Sequence, residues 1–281
     1  MGVSPCYTIH QYTDQIYKVV AFKGNRDPDA VRVRDKDAEE HTGAKLESAF
    51  SRARSMCLQY ALCNPWEWFF TGTLDKDKMD RYDLDTYAGQ FSQWIRDRRK
   101  VYGCKFQVLL VPEQHKDGAW HMHGLVHALA VDVLSPFRAP APRKLVLGGF
   151  YDWPDYRKRF GFCSLARIRN PVATAYYVTK YIHKDMARRR EDLGKHLYFH
   201  SRPLQRAVKA SDVDAYHPAL DDVCTHDYEY CKVGMIQDAD WSFPYLWNGA
   251  DYPVNSFGCP LEVPEIMPGE LEPEYEQGRL W

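Results

Sequence analysis

Leu46, Phe50, Ala53, Cys57, Tyr60 and Ala61 recur at helical spacing and predict a helix over residues 44–63. Asn64-Pro65 ends it, because the residue before a proline is pushed out of the α region. Upstream, Tyr17–Phe22 and Ala30–Arg34 read as short strands joined by the turn-rich Gly24–Pro28. Trp66–Leu74 is aromatic and β-prone and predicts a buried strand. Helical spacing returns over 84–102, with Tyr87, Phe91, Trp94, Ile95 and Val101 inward and a basic cluster outward. Phe106–Val111 predicts a strand, His115–Gly118 a turn, and Trp120–Leu129 the return strand. Proline and glycine crowd residues 134–149, which read as a loop or crossing segment. Pro171 marks a helix start, the helix runs to about Arg190, and His196–His200 predicts a short strand.

Beyond about residue 205 the periodicity weakens. From Pro260 onward four prolines and many glutamates predict a poorly ordered tail or a docked extension. No internal repeat is present. The order helix, strand, helix, strand–turn–strand, helix predicts an α+β layer fold, an antiparallel sheet with its helices on one side. The domain so predicted spans 46–205, with residues 1–45 as an N-terminal extension and 206–281 as a C-terminal extension.

The 281 residues suffice for one large domain or a domain with extensions, and a 45% hydrophobic share is that of a globular chain. No stretch reaches the roughly 18 apolar residues of a membrane span, so no membrane partner is expected. The opening MGVSPCYTIHQ lacks the basic and then apolar order of a secretory signal, and Cys6 stands where myristoylation wants Ser or Thr. Eight cysteines form no C-x-x-C pair, which argues against a zinc knuckle and for reduced, mostly buried cytoplasmic thiols. A net charge of −1 argues against a protein that coats duplex DNA, but leaves room for a local basic channel. Arg96, Arg98, Arg99 and Lys100 cluster, as do Arg188, Arg189 and Arg190, while 262–276 is acidic and holds no Lys or Arg. Trp66, Trp68, Trp94 and Trp120 are core candidates. The 96–100 cluster is a candidate for phosphate contact.

Candidate chemistry sits on the strand–turn–strand segment. Side chains at i and i+2 of a strand share a face, so His121 and His123 point the same way. With Lys116-Asp117-Gly118 as a three-residue loop, Glu113 lies opposite His121 and joins the two imidazoles. Two nitrogens and a carboxylate suit Mn²⁺, Mg²⁺ or Zn²⁺, with positions left for a phosphate oxygen. His115 shares Glu113's parity and is a further candidate, whereas His127 reads as a packed or exposed histidine. An H-x-H pair alone, among 11 histidines, is weak; Glu113 at hairpin spacing strengthens it.

On the last helix Tyr177 and Tyr181 stand at i and i+4 and share a face, Lys180 and Lys184 form a second pair on an adjacent face, and Tyr176 reads as core. A phenol is a poor nucleophile at neutral pH, and a nearby cation favours its ionised form. An attack on phosphorus that leaves a covalent ester conserves the phosphodiester energy, so the same groups can rejoin strands.

Val111–Gly124, with Glu113, His121 and His123, resembles the metal motif of HUH endonucleases, the rolling-circle replication initiators of small single-stranded DNA phages and plasmids. Tyr177–Lys184 resembles their tyrosine motif in its two-tyrosine form, and Phe69–Thr73 their first motif. The likeness covers about residues 50–203. It implies a ferredoxin-like or RRM-like antiparallel sheet of about five strands with flanking helices, the metal residues on its central strands. It implies that Tyr177 attacks an origin phosphate, giving a 5′-phosphotyrosine and a free 3′-OH, that Tyr181 is the second nucleophile, and that Lys180 assists. The cofactor implied is Mn²⁺ or Mg²⁺. The partners are single-stranded origin DNA, contacted by Lys184 and the 96–100 cluster, with a separate host helicase and polymerase, since no G-x-x-x-x-G-K-[ST] loop is present. The compartment would be the cytoplasm of a bacterial host. An HUH transposase or relaxase, and a non-catalytic metal-containing DNA-binding protein, are the competing readings.

Overall fold

A computed structural model describes residues 6–23, 42–184, 197–213, 216–228 and 231–237, without the side chains of 42–49 and 183–184. The expected 24–28 turn, the 30–34 strand, Arg188–Arg190 and the acidic tail lie outside the described residues. The chain divides into two compact units. The smaller takes β1 (Tyr7–Gln11) and β2 (Tyr17–Phe22) from the start of the chain.

The larger unit begins with α1 (Thr42–Leu62) and β3 (Trp68–Thr73). Next comes α2 (Leu84–Tyr102), whose start is capped by Asp83, accepting from the Thr86 amide at 3.0 Å. Gly103, at φ +64°, closes its end in the left-handed conformation. Val101 is 64% exposed, contrary to expectation. Tyr102 takes that place against the core, because it stands seven residues after Ile95 and so returns to the same helix face. The hairpin follows as β4 (Gln107–Gln114) and β5 (Trp120–His127), turning at Gly118, whose φ is +88°. Short pieces come next: β6 (Ser135–Pro136), α3 (Arg143–Leu147), β7 (Tyr151–Asp152) and α4 (Pro154–Arg159). Then β8 (Cys163–Arg167), α5 (Pro171–Lys184) and β9 (Phe199–His200) complete the unit.

The larger sheet is antiparallel with order β6-β7-β8-β3-β5-β4-β9. Its four long strands, numbered along the chain, lie 4-1-3-2. With α2 and α4 in the two crossovers, this is the ferredoxin-like connection. The two faces follow from strand parity. Trp68, Phe70, Val108, Leu110, Trp120, Met122 and Val126 point to one side, where they pack with Tyr87, Phe91, Trp94 and Ile95 of α2 and Tyr156 of α4. The opposite parity, including Leu109, Val111 and Leu125, is also buried, under α5, which packs on β4 and β5 and against α1. Helices therefore flank both faces, where one was expected, because Leu109, Val111 and Leu125 make the second face apolar as well. Gly124 allows the close pairing of β4 and β5, since a Cβ there would lie 2.2 Å from the Leu109 carbonyl oxygen.

In the smaller unit, β10 (Val208–Val213), α6 (Pro218–Val223), β11 (His226–Asp227) and β12 (Cys231–Ile236) join the two N-terminal strands. The sheet order is β10-β1-β2-β12-β11, and Ile9, Tyr17, Val19 and Ile236 pack with Leu220 and Val223 of α6 in a core of their own. Among the described residues all seven cysteines are free and four of them are buried, and no helix is long and apolar enough to cross a membrane.

Candidate active site

The site is built on the β4–β5 ladder. Glu113 pairs directly with His121 and Val111 with His123, so the carboxylate and both imidazoles share the α5-facing side of the sheet. Glu113 Oε2 lies 2.7 Å from His123 Nε2. The His115 ring stacks on His121 with centroids 3.5 Å apart. Burial, with the neighbouring His115 and His123 adding to it, pushes the His121 pKa down to about 4, so this ring is a neutral imidazole at neutral pH. From β3, Thr73 stands opposite His121 and Thr71 opposite His123.

The tyrosines come from α5. Asn170 caps this helix by accepting from the Ala173 amide at 3.0 Å, and Pro171 occupies its first turn. Ala175, Val178 and Ile182 are fully buried, which fixes the helix on the sheet. Tyr181 lies flat on His123, with centroids 4.0 Å apart and planes 4° from parallel. Its hydroxyl donates a hydrogen bond to the Tyr177 hydroxyl. Burial, the tie to Tyr177 and the charge of Glu113 together push the Tyr181 pKa well up. Tyr177 meets Phe69 of β3 edge-on at 5.5 Å, and Phe69 in turn stacks toward His123 at 6.2 Å. The sequence marks Phe69 only as part of the Phe69–Thr73 motif. Its place two residues before Thr71 on the same strand was the available sign that it faces the site.

The structure thus brings Glu113, His121, His123, Tyr177 and Tyr181 together. Lys180 is exposed on α5, one residue from Tyr181, and the side chain of Lys184 lies outside the described residues. The basic cluster of α2 is not brought to this site, since α2 packs on the other face of the sheet. There Arg98 pairs with Asp155 at 2.8 Å, Arg99 donates to the Phe106 carbonyl, Arg96 donates to Gln93, and Lys100 is exposed. His127 lies 3.8 Å from Glu67, at the far end of β5. Trp66, Trp68, Trp94 and Trp120 are all buried, and Tyr176 is half-buried.

Among the described residues no three His, Cys, Asp or Glu side chains are already set at metal-ligating separation. The donor set nevertheless fits a divalent cation. The 2.7 Å between Glu113 and His123 is close to the roughly 3 Å that separates adjacent ligands of an octahedral ion with bonds of about 2.1 Å. His123 Nδ1 is also buried without a hydrogen-bond partner, so no second bond locks that ring in its present tautomer.

Residues 67–186 match the family model of the replication-associated protein ORF2/G2P. The matched segment covers fewer than half of the residues. It runs from the start of β3 through α5 and so contains Glu113, His121, His123, Tyr177 and Tyr181. The similarity points to DNA replication as the process. No curated protein and no solved structure matches the chain.

Proposed function

We propose that the protein is a replication initiator of the HUH type, which nicks and rejoins single-stranded origin DNA through a 5′-phosphotyrosine intermediate. One observation carries this reading: two phenols from α5 stand on the sheet face that holds Glu113, His121 and His123, one of them stacked on His123. The similarity to a replication-associated family favours replication over transposition or conjugation.

A Mn²⁺ or Mg²⁺ ion held by Glu113, His121 and His123 would polarise the scissile phosphate. Tyr177 is the first nucleophile. Its oxygen bonds phosphorus, the bond from phosphorus to the 3′ oxygen breaks, and the phenolic proton ends on the leaving 3′ oxygen. The hydrogen bond from Tyr181 favours negative charge on the Tyr177 oxygen as it attacks. Once Tyr177 is esterified, Tyr181 remains to attack a second phosphate. Lys180 stands one residue away to steady phosphate charge. The free 3′-OH primes synthesis, with strand separation and polymerisation supplied by host proteins in the bacterial cytoplasm.

The test is incubation with single-stranded origin DNA and Mn²⁺, followed by a denaturing gel. A covalent protein–DNA adduct is expected. Tyr177→Phe, His121→Ala and His123→Ala are expected to abolish it, and Tyr181→Phe to nick but fail in strand transfer. Adducts formed by the doubly substituted Tyr177→Phe, Tyr181→Phe protein would assign the nucleophile elsewhere.

A further inference from the structure

The stretch that links the metal strand to the tyrosine helix has a charge unlike that of the chain as a whole. Residues 133–170 hold eight Lys and Arg and only two acidic side chains, in a protein whose net charge is −1. Both acids are already engaged: Asp152 with Arg157 at 2.7 Å, and Asp155 with Arg98 and Tyr102. Arg138, Arg143 and Lys144 are exposed around α3, in a run from 133 to 151 that contains no Asp or Glu.

Aromatic rings lie in the same stretch. Phe137 and Phe162, both part-exposed, stack with centroids 5.9 Å apart and planes at 29°. The Arg157 guanidinium sits 4.9 Å from the Phe162 ring and 5.7 Å from the Phe137 ring, and Asp152 fixes it there through Nε. The Phe162 carbonyl accepts from the Thr73 amide at 2.7 Å, and Thr73 stands directly opposite His121. Phe162 is therefore two strand spacings, about 10 Å, from the backbone of His121.

Cations that track a phosphate chain, beside aromatic rings that stack on unpaired bases, are what single-strand binding requires. We propose that this β6–β8 segment holds the DNA strand flanking the scissile phosphate. Phe137, Phe162 and Arg157 form its stacking centre, and Arg138, Arg143 and Lys144 its phosphate contacts. The proposal rests on the nickase reading for its choice of ligand, and it puts the strand here rather than on the α2 cluster.

The test is anisotropy of a labelled single-stranded oligonucleotide with the full-length protein, in EDTA so that no cleavage occurs, over a range of salt. The triple change Arg138→Gln, Arg143→Gln, Lys144→Gln is expected to weaken binding at least tenfold. It should also flatten the salt slope by about 2, at roughly 0.7 per lost contact. Phe137→Leu with Phe162→Leu is expected to cost about tenfold and leave the slope unchanged. Circular dichroism checks the fold of the leucine variant, and the triple change, confined to exposed side chains, stands as a test without it. Parental affinity and slope in both sets would overturn the proposal, as would a larger loss from Arg96→Gln with Lys100→Gln. The adduct gel judges the nickase separately. Adducts without any effect of these changes would sink the binding surface alone. Effects of these changes without adducts in the parent would sink the nickase alone.

Discussion

At the scale of single residues, the ring contacts decide how well Tyr177, the proposed nucleophile, is aimed. Tyr177 has Phe69 at its edge and Tyr181 at its oxygen, so in the proposed reaction Phe69 would act through Tyr177, as a positioning residue. Phe69→Leu keeps the bulk and loses the aromatic edge. Such a pair is worth about 0.5–1.5 kcal/mol, so adduct formation is expected to slow by about two- to thirteenfold. Metal affinity should stay at the parental value, which calorimetry with Mn²⁺ would check, and an equal fall in both would mean that Phe69 supports the whole site. Gly124 is a second single-residue constraint. Gly124→Ala would drive a Cβ against the Leu109 carbonyl within the ladder that carries Glu113 and His121. A loss of at least about 2 kcal/mol in urea unfolding is expected. That Glu113, His121 and His123 share one face was legible in the sequence because hairpin parity is simple arithmetic: one loop length puts Glu113 opposite His121. The His115–His121 stack and the Tyr181–His123 stack were not, because rotamers and helix docking decide them, and neither leaves a mark in residue spacing.

At the scale of elements, long and strongly patterned segments were readable and short ones were not. The 84–102 helix matches α2 residue for residue at its ends, since Asp83 and Gly103 punctuate it. The sequence leaves β8 unassigned although it pairs on both sides, with β3 and β7, because five residues, Cys163–Arg167, are too few to set a period. The six-residue α4, under two turns long, is shorter than any window that would reveal it, yet Asp155 ties it to α2 by accepting from Arg98 and Tyr102. Burial pushes the Asp155 carboxyl up, and those two hydrogen bonds, together with the charges of Arg98 and Lys158, outweigh it, leaving its pKa below the usual carboxylate value. A depressed pKa contributes stability that is fully present above the ordinary value near 4 and is lost as pH falls through the folded one. Acid titration of melting temperature should therefore show a steeper decline below about pH 4 in the parent than in Asp155→Asn. Superimposable slopes would remove Asp155 from the acid response. At the other end of α2, Asp83→Ala is expected to cost about 1 kcal/mol through the lost cap, read by chemical denaturation.

At the scale of the molecule, two sheets close two separate cores, and the candidate site belongs wholly to one of them. The sequence did not show this. Weak periodicity after residue 205 hid the fact that β10 and β12 pair with the first two strands, a long-range pairing for which local pattern carries no signal. The division has a measurable consequence for the metal. An ion that binds only the folded site stabilises it by RT ln(1 + [L]/Kd), about 2.7 kcal/mol at a hundredfold excess over Kd. That gain belongs to the sheet carrying Glu113, His121 and His123. Hydrogen exchange with and without Mn²⁺ should thus slow at the amides of β4, β5 and α5 and leave β1, β2 and β12 unchanged, and His121→Ala with His123→Ala should erase the difference. Slowing spread evenly over both sheets would show that the two cores open together. Slowing that survives loss of both histidines would show that the cation sits elsewhere, and the face shared by the phenols and imidazoles would then lose its claim to be the catalytic one.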